Sequence, residues 1–161
     1  MKDKEILNLL KDDEQYYSGV GKNYLSNSDI SALLKNPKMF GKEQPDNINF
    51  IKGRLFHQLI LEPNKAKHIN CIDVNSRNTK AYKEYSNGSI VLLQKEVDEM
   101  INLTSTMLEN LDFFEMIREQ GNKYEVPAIK EIKGEMWKGK ADIVNEHVLI
   151  DLKTTSDINK F

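Results

Sequence analysis

The sequence predicts an α/β fold of the α+β kind, with helices first and a small sheet last. Two observations carry this. Up to about residue 119 the apolar residues recur at helical spacing, and from residue 123 the period changes to that of strands. Three consecutive segments, KYEVPAIKEI, MWKGKADIVN and HVLIDLKTT, then read as strands of roughly six to nine residues each. Gly134 and the Asn145-Glu146 pair supply tight turns between them, so the three strands are antiparallel neighbours.

Residues 2–11 alternate charge with Ile6, Leu7, Leu9 and Leu10, which suits a short amphipathic helix, broken by Gly19 and Gly21. A second helix follows, with Ser26 or Ser28 as N-cap and Ile30, Leu33 and Leu34 at helical spacing; Asn36-Pro37 stops it. Residues 41–48 hold Gly, Pro, Asp and Asn and read as a loop. Over 49–61 a stronger helix carries a wide stripe of Phe50, Ile51, Leu55, Phe56 and Leu59, and Glu62-Pro63 ends it. Ile69 to Val74 suits a short strand. Arg77, Lys80 and Lys83 fall three apart and would share a helix face around Ala81 and Tyr82, with a turn at Asn87-Gly88. A long helix over 94–119 buries Val97, Ile101, Thr104, Leu108 and Leu111 and closes at Gly121-Asn122.

The chain has 161 residues, which suits a single domain over 1–161, with 1–23 as an N-terminal helical extension. A net charge of −2 argues against a protein that coats nucleic acid by bulk charge, yet it leaves room for a basic groove around an acidic centre. Cys71 is the single cysteine, so no internal disulfide forms, and beside Ile69 and Ile72 it reads as a small hydrophobe. No apolar run approaches the ~20 residues of a membrane span. The start, MKDKEILNLLKDDEQ, has no signal-peptide core, so a cytoplasmic protein without membrane partners is expected.

Chemistry concentrates in Gly139-Lys140-Ala141-Asp142 and Asp151-Leu152-Lys153-Thr154-Thr155. A hairpin at Asn145-Glu146 brings Asp142 level with Asp151, and Asp151 and Lys153, two apart in a strand, point to one face. Such charges among apolar strands are costly unless they pair or bind a cation. Hard oxygen ligands suit Mg²⁺ or Mn²⁺, which make water a better nucleophile and neutralise a phosphate. A neighbouring lysine can stabilise charge developing on phosphorus. The bland alternative is an Asp–Lys salt bridge on a solvated sheet face. Glu125 could bring a third carboxylate to the same face or be an edge-strand surface residue. His57, one turn after Gly53 whose missing side chain leaves room beside the imidazole, is either a metal ligand or a packed helix residue.

The order Gly-x-x-x-His, Glu, Gly-x-x-Asp, Asp-x-Lys-Thr-Thr resembles the RecB-like branch of the PD-(D/E)XK nucleases, most of all the nuclease domain of RecE (exodeoxyribonuclease VIII) and its phage homologues. Leu25-Ser26-Asn27-Ser28 through Asn36-Pro37 looks like the family's opening helix. The run Gly53-Arg54-Leu55-Phe56-His57-Gln58-Leu59-Ile60-Leu61-Glu62-Pro63 looks like its His-containing signature, and Arg77-Asn78-Thr79-Lys80 like its basic segment. The resemblance implies a restriction-endonuclease-like core. It implies that His57, Asp142, Asp151 and the Leu152 carbonyl hold Mg²⁺ or Mn²⁺, that Lys153 is the catalytic lysine, and that Glu125 supports the metal or the water. Thr154 and Thr155 would shape the strand end, and Arg54, Arg77 and Lys80 would contact phosphates without reading sequence. The implied reaction is hydrolysis of DNA phosphodiesters at double-stranded ends, by a homo-oligomeric ring acting beside a strand-annealing protein in phage-type recombination in a bacterial host. The family continues past Asp-x-Lys with a helix and another strand, whereas only Ser156–Phe161 follows here, so the C-terminal part of the core is expected to be missing. A fragment of a longer protein, a complementing chain, and a shortened, non-cutting relative that binds DNA or inhibits a partner protein each accommodate that.

Overall fold

A computed structural model describes residues 3–42, 46–155 and 159. In chain order its elements are α1 (Asp3–Leu9), α2 (Asp13–Tyr17), α3 (Asn27–Lys35), α4 (Ile48–Leu61), α5 (Pro63–Ala66), β1 (Cys71–Ile72), α6 (Lys80–Ser86), β2 (Leu92–Leu93), α7 (Gln94–Glu109), α8 (Leu111–Arg118), β3 (Lys123–Ile132), β4 (Glu135–Val144) and β5 (Leu149–Ile150). The α+β class with a small antiparallel sheet is the one the sequence predicts. The chain is organised as two compact units, residues 1–44 with 123–151, and residues 45–122 with 152–161. Of the 41–48 loop, residues 43–45 lie outside the described residues, as does the 156–161 tail apart from Asn159. No described helix is long and apolar enough to cross a membrane.

In the first unit the sheet order is β3-β4-β5, antiparallel throughout. Lys133 and Gly134 form the two-residue hairpin loop with φ of 53° and 84°, the doubly left-handed turn that matches strand twist. Alternation along β4 puts Lys138, Lys140 and Asp142 at positions of one face. Asn145 shapes the next turn: its side-chain oxygen accepts from the backbone N–H of His147 (2.8 Å) and Val148 (2.9 Å). The third strand is shorter than expected. Only Leu149 and Ile150 pair with β4, so Asp151 to Thr155 run on without a ladder.

The first helix also ends earlier than its pattern suggests, at Leu9, because Asp12 starts a second one by accepting the N–H of Gln15 at 3.0 Å. A Cβ on Gly21 would fall 2.0 Å from the Tyr16 carbonyl oxygen, so the close return of the chain past α2 needs glycine there. Leu25 then bonds to the edge of β4, its N–H to Met136 O (2.9 Å) and its carbonyl to the Lys138 N–H (2.8 Å). Ser26, not Ser28, caps α3, and the Asp29 carboxylate accepts the Ser26 N–H at 2.7 Å. The apolar stripe of α3 is not buried: Ile30, Leu33 and Leu34 are all exposed.

In the second unit α4, β2 and α7 pack through Leu55, Leu92 and Val97, with Ile51, Leu59 and Cys71 around them, as the apolar reading of Cys71 expects. Phe50, read as part of the α4 stripe, is 54% exposed. Strands β1 and β2 pair in parallel (Cys71↔Leu92, Ile72↔Leu93), which requires the crossover that α6 provides. Thr79 caps α6 at the N–H of Tyr82, so Arg77 lies ahead of the helix and does not share a helical face with Lys80 and Lys83. The long helix expected over 94–119 is two helices. Asn110 interrupts it because its side chain caps the Phe113 N–H at 3.1 Å, and Ile101 and Leu111 are exposed while Val97 and Thr104 are buried.

Candidate metal centre

Strand register builds the first part of the site. Tyr124 pairs with Ile143 and Val126 with Ala141, so Glu125 stands opposite Asp142. Ile143 pairs with Ile150, so the same register continued by one residue sets Asp142 opposite Asp151. Glu125 and Asp142 therefore occupy one row across the sheet of the first unit, and Asp151 follows the last paired residue of β5, where that row would continue. Oxygens of Glu125 and Asp142 lie within 4.8 Å of each other. Asp142 is buried, and Asp151 is exposed. Carboxylates so close repel, and burial removes the water that would screen them.

Glu125 has φ of 50° inside a strand, a left-handed backbone that costs a non-glycine residue on the order of 1–3 kcal/mol. The ladder pairs on either side of it keep one register, so no inserted residue accounts for the outlier. Such strain is the kind that surrounding contacts must hold in place.

Lys140, two positions before Asp142, was not singled out by sequence reasoning. Its side chain is 8% exposed, with Nζ 2.8 Å from Asp13 Oδ1 and 3.6 Å from Glu125 Oε2. The same ammonium sits 4.6 Å from the centre of the Tyr16 ring. Lys138 Nζ donates to the Tyr16 carbonyl oxygen at 2.6 Å, satisfying a carbonyl at the end of α2. Burial, the larger cause, and the Lys140 charge lower the Lys138 pKa, against an opposing pull from Asp29. Burial, reinforced by Tyr17 and Glu125, pushes the Tyr16 hydroxyl up to about 12. The signal for this network was the two-residue spacing Lys138, Lys140, Asp142; its partners on α2 could not be read from spacing.

In the second unit, His57 on α4 and the Leu152 carbonyl, both expected ligands, come together with Nε2 2.9 Å from the oxygen. Two neighbouring ligands on one octahedral ion with bonds of about 2.1 Å would be ~3 Å apart. The same distance suits a hydrogen bond if Nε2 carries the proton. A Cβ on Gly53 would meet Thr154 Oγ1 at 3.8 Å, so this glycine faces the 152–154 segment and not the imidazole. Lys153 follows the alternation expected of a strand in burial alone: Asp151 and Lys153 are exposed and Leu152 is buried, without a ladder.

The three phosphate-contact candidates differ. Arg54 is exposed beside Asp46 at 3.4 Å, and Lys80, 89% exposed in its side chain, stands 3.6 Å from Glu84. Arg77 is engaged inside the second unit, donating to Glu96 and to the Val91 carbonyl oxygen, with its guanidinium over the Tyr82 ring.

The carboxylate oxygens of the first unit are donors that suit Mg²⁺ or Mn²⁺, and the imidazole nitrogen and backbone carbonyl of the second unit are donors that Mn²⁺ also accepts. A family model described as a PDDEXK-like domain of unknown function (DUF3799) matches residues 25–161. No curated protein and no solved structure matches the chain significantly.

Proposed function

We propose, since the chain belongs to this PDDEXK-like domain family, that it is a divalent-metal-dependent nuclease that hydrolyses phosphodiester bonds in DNA. The observation that carries this reading is the adjacency of Glu125 and Asp142 across β3 and β4, with Asp151 one residue past the last pair of β5. Acids this close repel one another, and a bound Mg²⁺ or Mn²⁺ would relieve that repulsion, polarise a phosphate and acidify water.

Asp142 and Asp151 hold the cation through oxygen. By motif order along the chain, His57 and the Leu152 carbonyl are assigned to the same ion. Lys153, exposed beside Asp151, stabilises charge on the phosphoryl oxygens. Glu125 orients the attacking water as a hydrogen-bond acceptor. Arg54 and Lys80 hold the DNA backbone, and Arg77 keeps its own unit folded. At the finer level we infer a cytoplasmic exonuclease of the RecE-like kind acting at double-stranded ends in phage-type recombination, as a homo-oligomer or with a complementing chain, beside a strand-annealing protein. The motif order supports that level.

A second reading, a non-cutting relative that binds DNA or a partner protein, is favoured by the absence of ladder pairing at Asp151 to Thr155. Incubation of the chain with linear and circular duplex DNA and Mg²⁺ separates the two. Loss of linear DNA alone, prevented by EDTA, by Asp151→Ala and by Lys153→Ala, is the outcome expected of an exonuclease. Folded protein that binds DNA and leaves both forms intact supports the second reading.

A further inference from the structure

Resting on the metal-binding reading above, we propose that Lys140 is a positioning residue, anchored by α2, that keeps the Glu125 carboxylate out of direct contact with the cation.

Lys140 is held from one side and acts on the other. Its ammonium makes its shorter ion pair with Asp13 (2.8 Å) and lies over the Tyr16 ring, both on α2. The longer pair reaches Glu125 Oε2 at 3.6 Å. Almost no solvent reaches the lysine side chain, and of its two partners Glu125 is the more buried and Asp13 the more exposed, so the pair with Glu125 is the less screened. An unanchored lysine would follow Glu125 wherever it moved; one fixed to Asp13 cannot.

Glu125 needs such a restraint. Its oxygen lies within 4.8 Å of one from Asp142, close enough that a divalent ion on Asp142 would draw both carboxylates inward. Its left-handed backbone adds strain that a neighbouring contact must offset. With Lys140 in place, Glu125 stays an acceptor for water. With that charge removed, Glu125 becomes a ligand and displaces a water from the ion. Residues 13–17 precede the 25–161 span of the family match, so a segment outside that span sets the state of a carboxylate inside it.

The test uses the full chain without DNA. Mn²⁺ affinity is measured by titration, and the waters on bound Tb³⁺ are counted from luminescence lifetimes in H₂O and D₂O. Lys140→Met should tighten Mn²⁺ binding about tenfold and remove about one coordinated water, and Lys140→Arg should keep both wild-type values. Asp13→Asn leaves Lys140 free to close on Glu125 and removes an anion, so Mn²⁺ should bind more weakly at an unchanged water count. A purely structural ion pair would move affinity in the same direction in Lys140→Met and Asp13→Asn and leave the water count alone, which overturns the positioning role. If Lys140→Met does not fold, Asp13→Asn decides: unchanged or tighter binding overturns the role. A wild-type chain with no saturable Mn²⁺ site overturns the metal reading and this inference together, whereas wild-type binding that no variant alters overturns this inference alone.

Discussion

Arg54, Arg77 and Lys80 carry one charge each and meet different surroundings, and their predicted effects separate accordingly. Arg77 bonds to Glu96, and that hydrogen bond is the main reason its pKa is raised. Burial works to raise the Glu96 pKa, but hydrogen bonds from Arg77 and the Leu93 N–H, with the charges of Arg77 and Lys52, outweigh it and hold the carboxyl below its ordinary value. Arg77→Ala should therefore lower stability in urea by about 2 kcal/mol. Arg54→Ala and Lys80→Ala should leave the urea midpoint in place and weaken duplex binding, each flattening the salt dependence by about one phosphate contact in an anisotropy titration. The Glu96 sign is that of a depressed acid. Its stabilisation is present above the unfolded glutamate value of about 4.3 and is lost as pH falls through the lower folded value. Glu96→Gln should remove that part of the acid slope, seen in urea midpoints measured from about pH 6 down to pH 3.

Elements differ in how far the sequence announces them. The β3-β4 hairpin was legible because Gly134 marks its turn and the helical period gives way to strand-like segments on either side of it. The capping of α3 was legible down to two serines. Helix α2 and strand β2 were not, since five and two residues are too short to show a period. The Asn110 break was hidden because Leu108 and Leu111 continue a helical spacing across it. Hairpin geometry gave the place of Asp142 on β4 but not the early end of β5 before Asp151, whereas the left-handed Glu125 and the anchoring of Lys140 arise from tertiary contacts. The docking of α2 carries its own prediction. A phenol whose folded pKa of about 12 exceeds its unfolded value contributes fully below about pH 10 and loses that contribution as pH rises toward 12. Tyr16→Phe should flatten the fall in stability between about pH 10 and pH 12, read from thermal midpoints across that range.

At the scale of the whole chain, the family match spans both compact units, and the motif order spans them too. The division falls between Asp151 and Leu152, inside the motif that the resemblance treats as one. Each unit thus carries its own share of the expected ligands: the carboxylate row in one, the His57 and Leu152 pair in the other. With a net charge of −2, the DNA attraction proposed above would have to come from local cations and a bound metal rather than from the chain's total field. The most direct measurement of the central claim is a calorimetric titration of Mn²⁺ into the wild-type chain and into Asp142→Asn, with folding followed by circular dichroism. A saturable site in the wild type, weakened at least about tenfold in a variant that keeps its fold, is the predicted result. Equal binding by the two proteins would mean that the carboxylate row does not hold the cation.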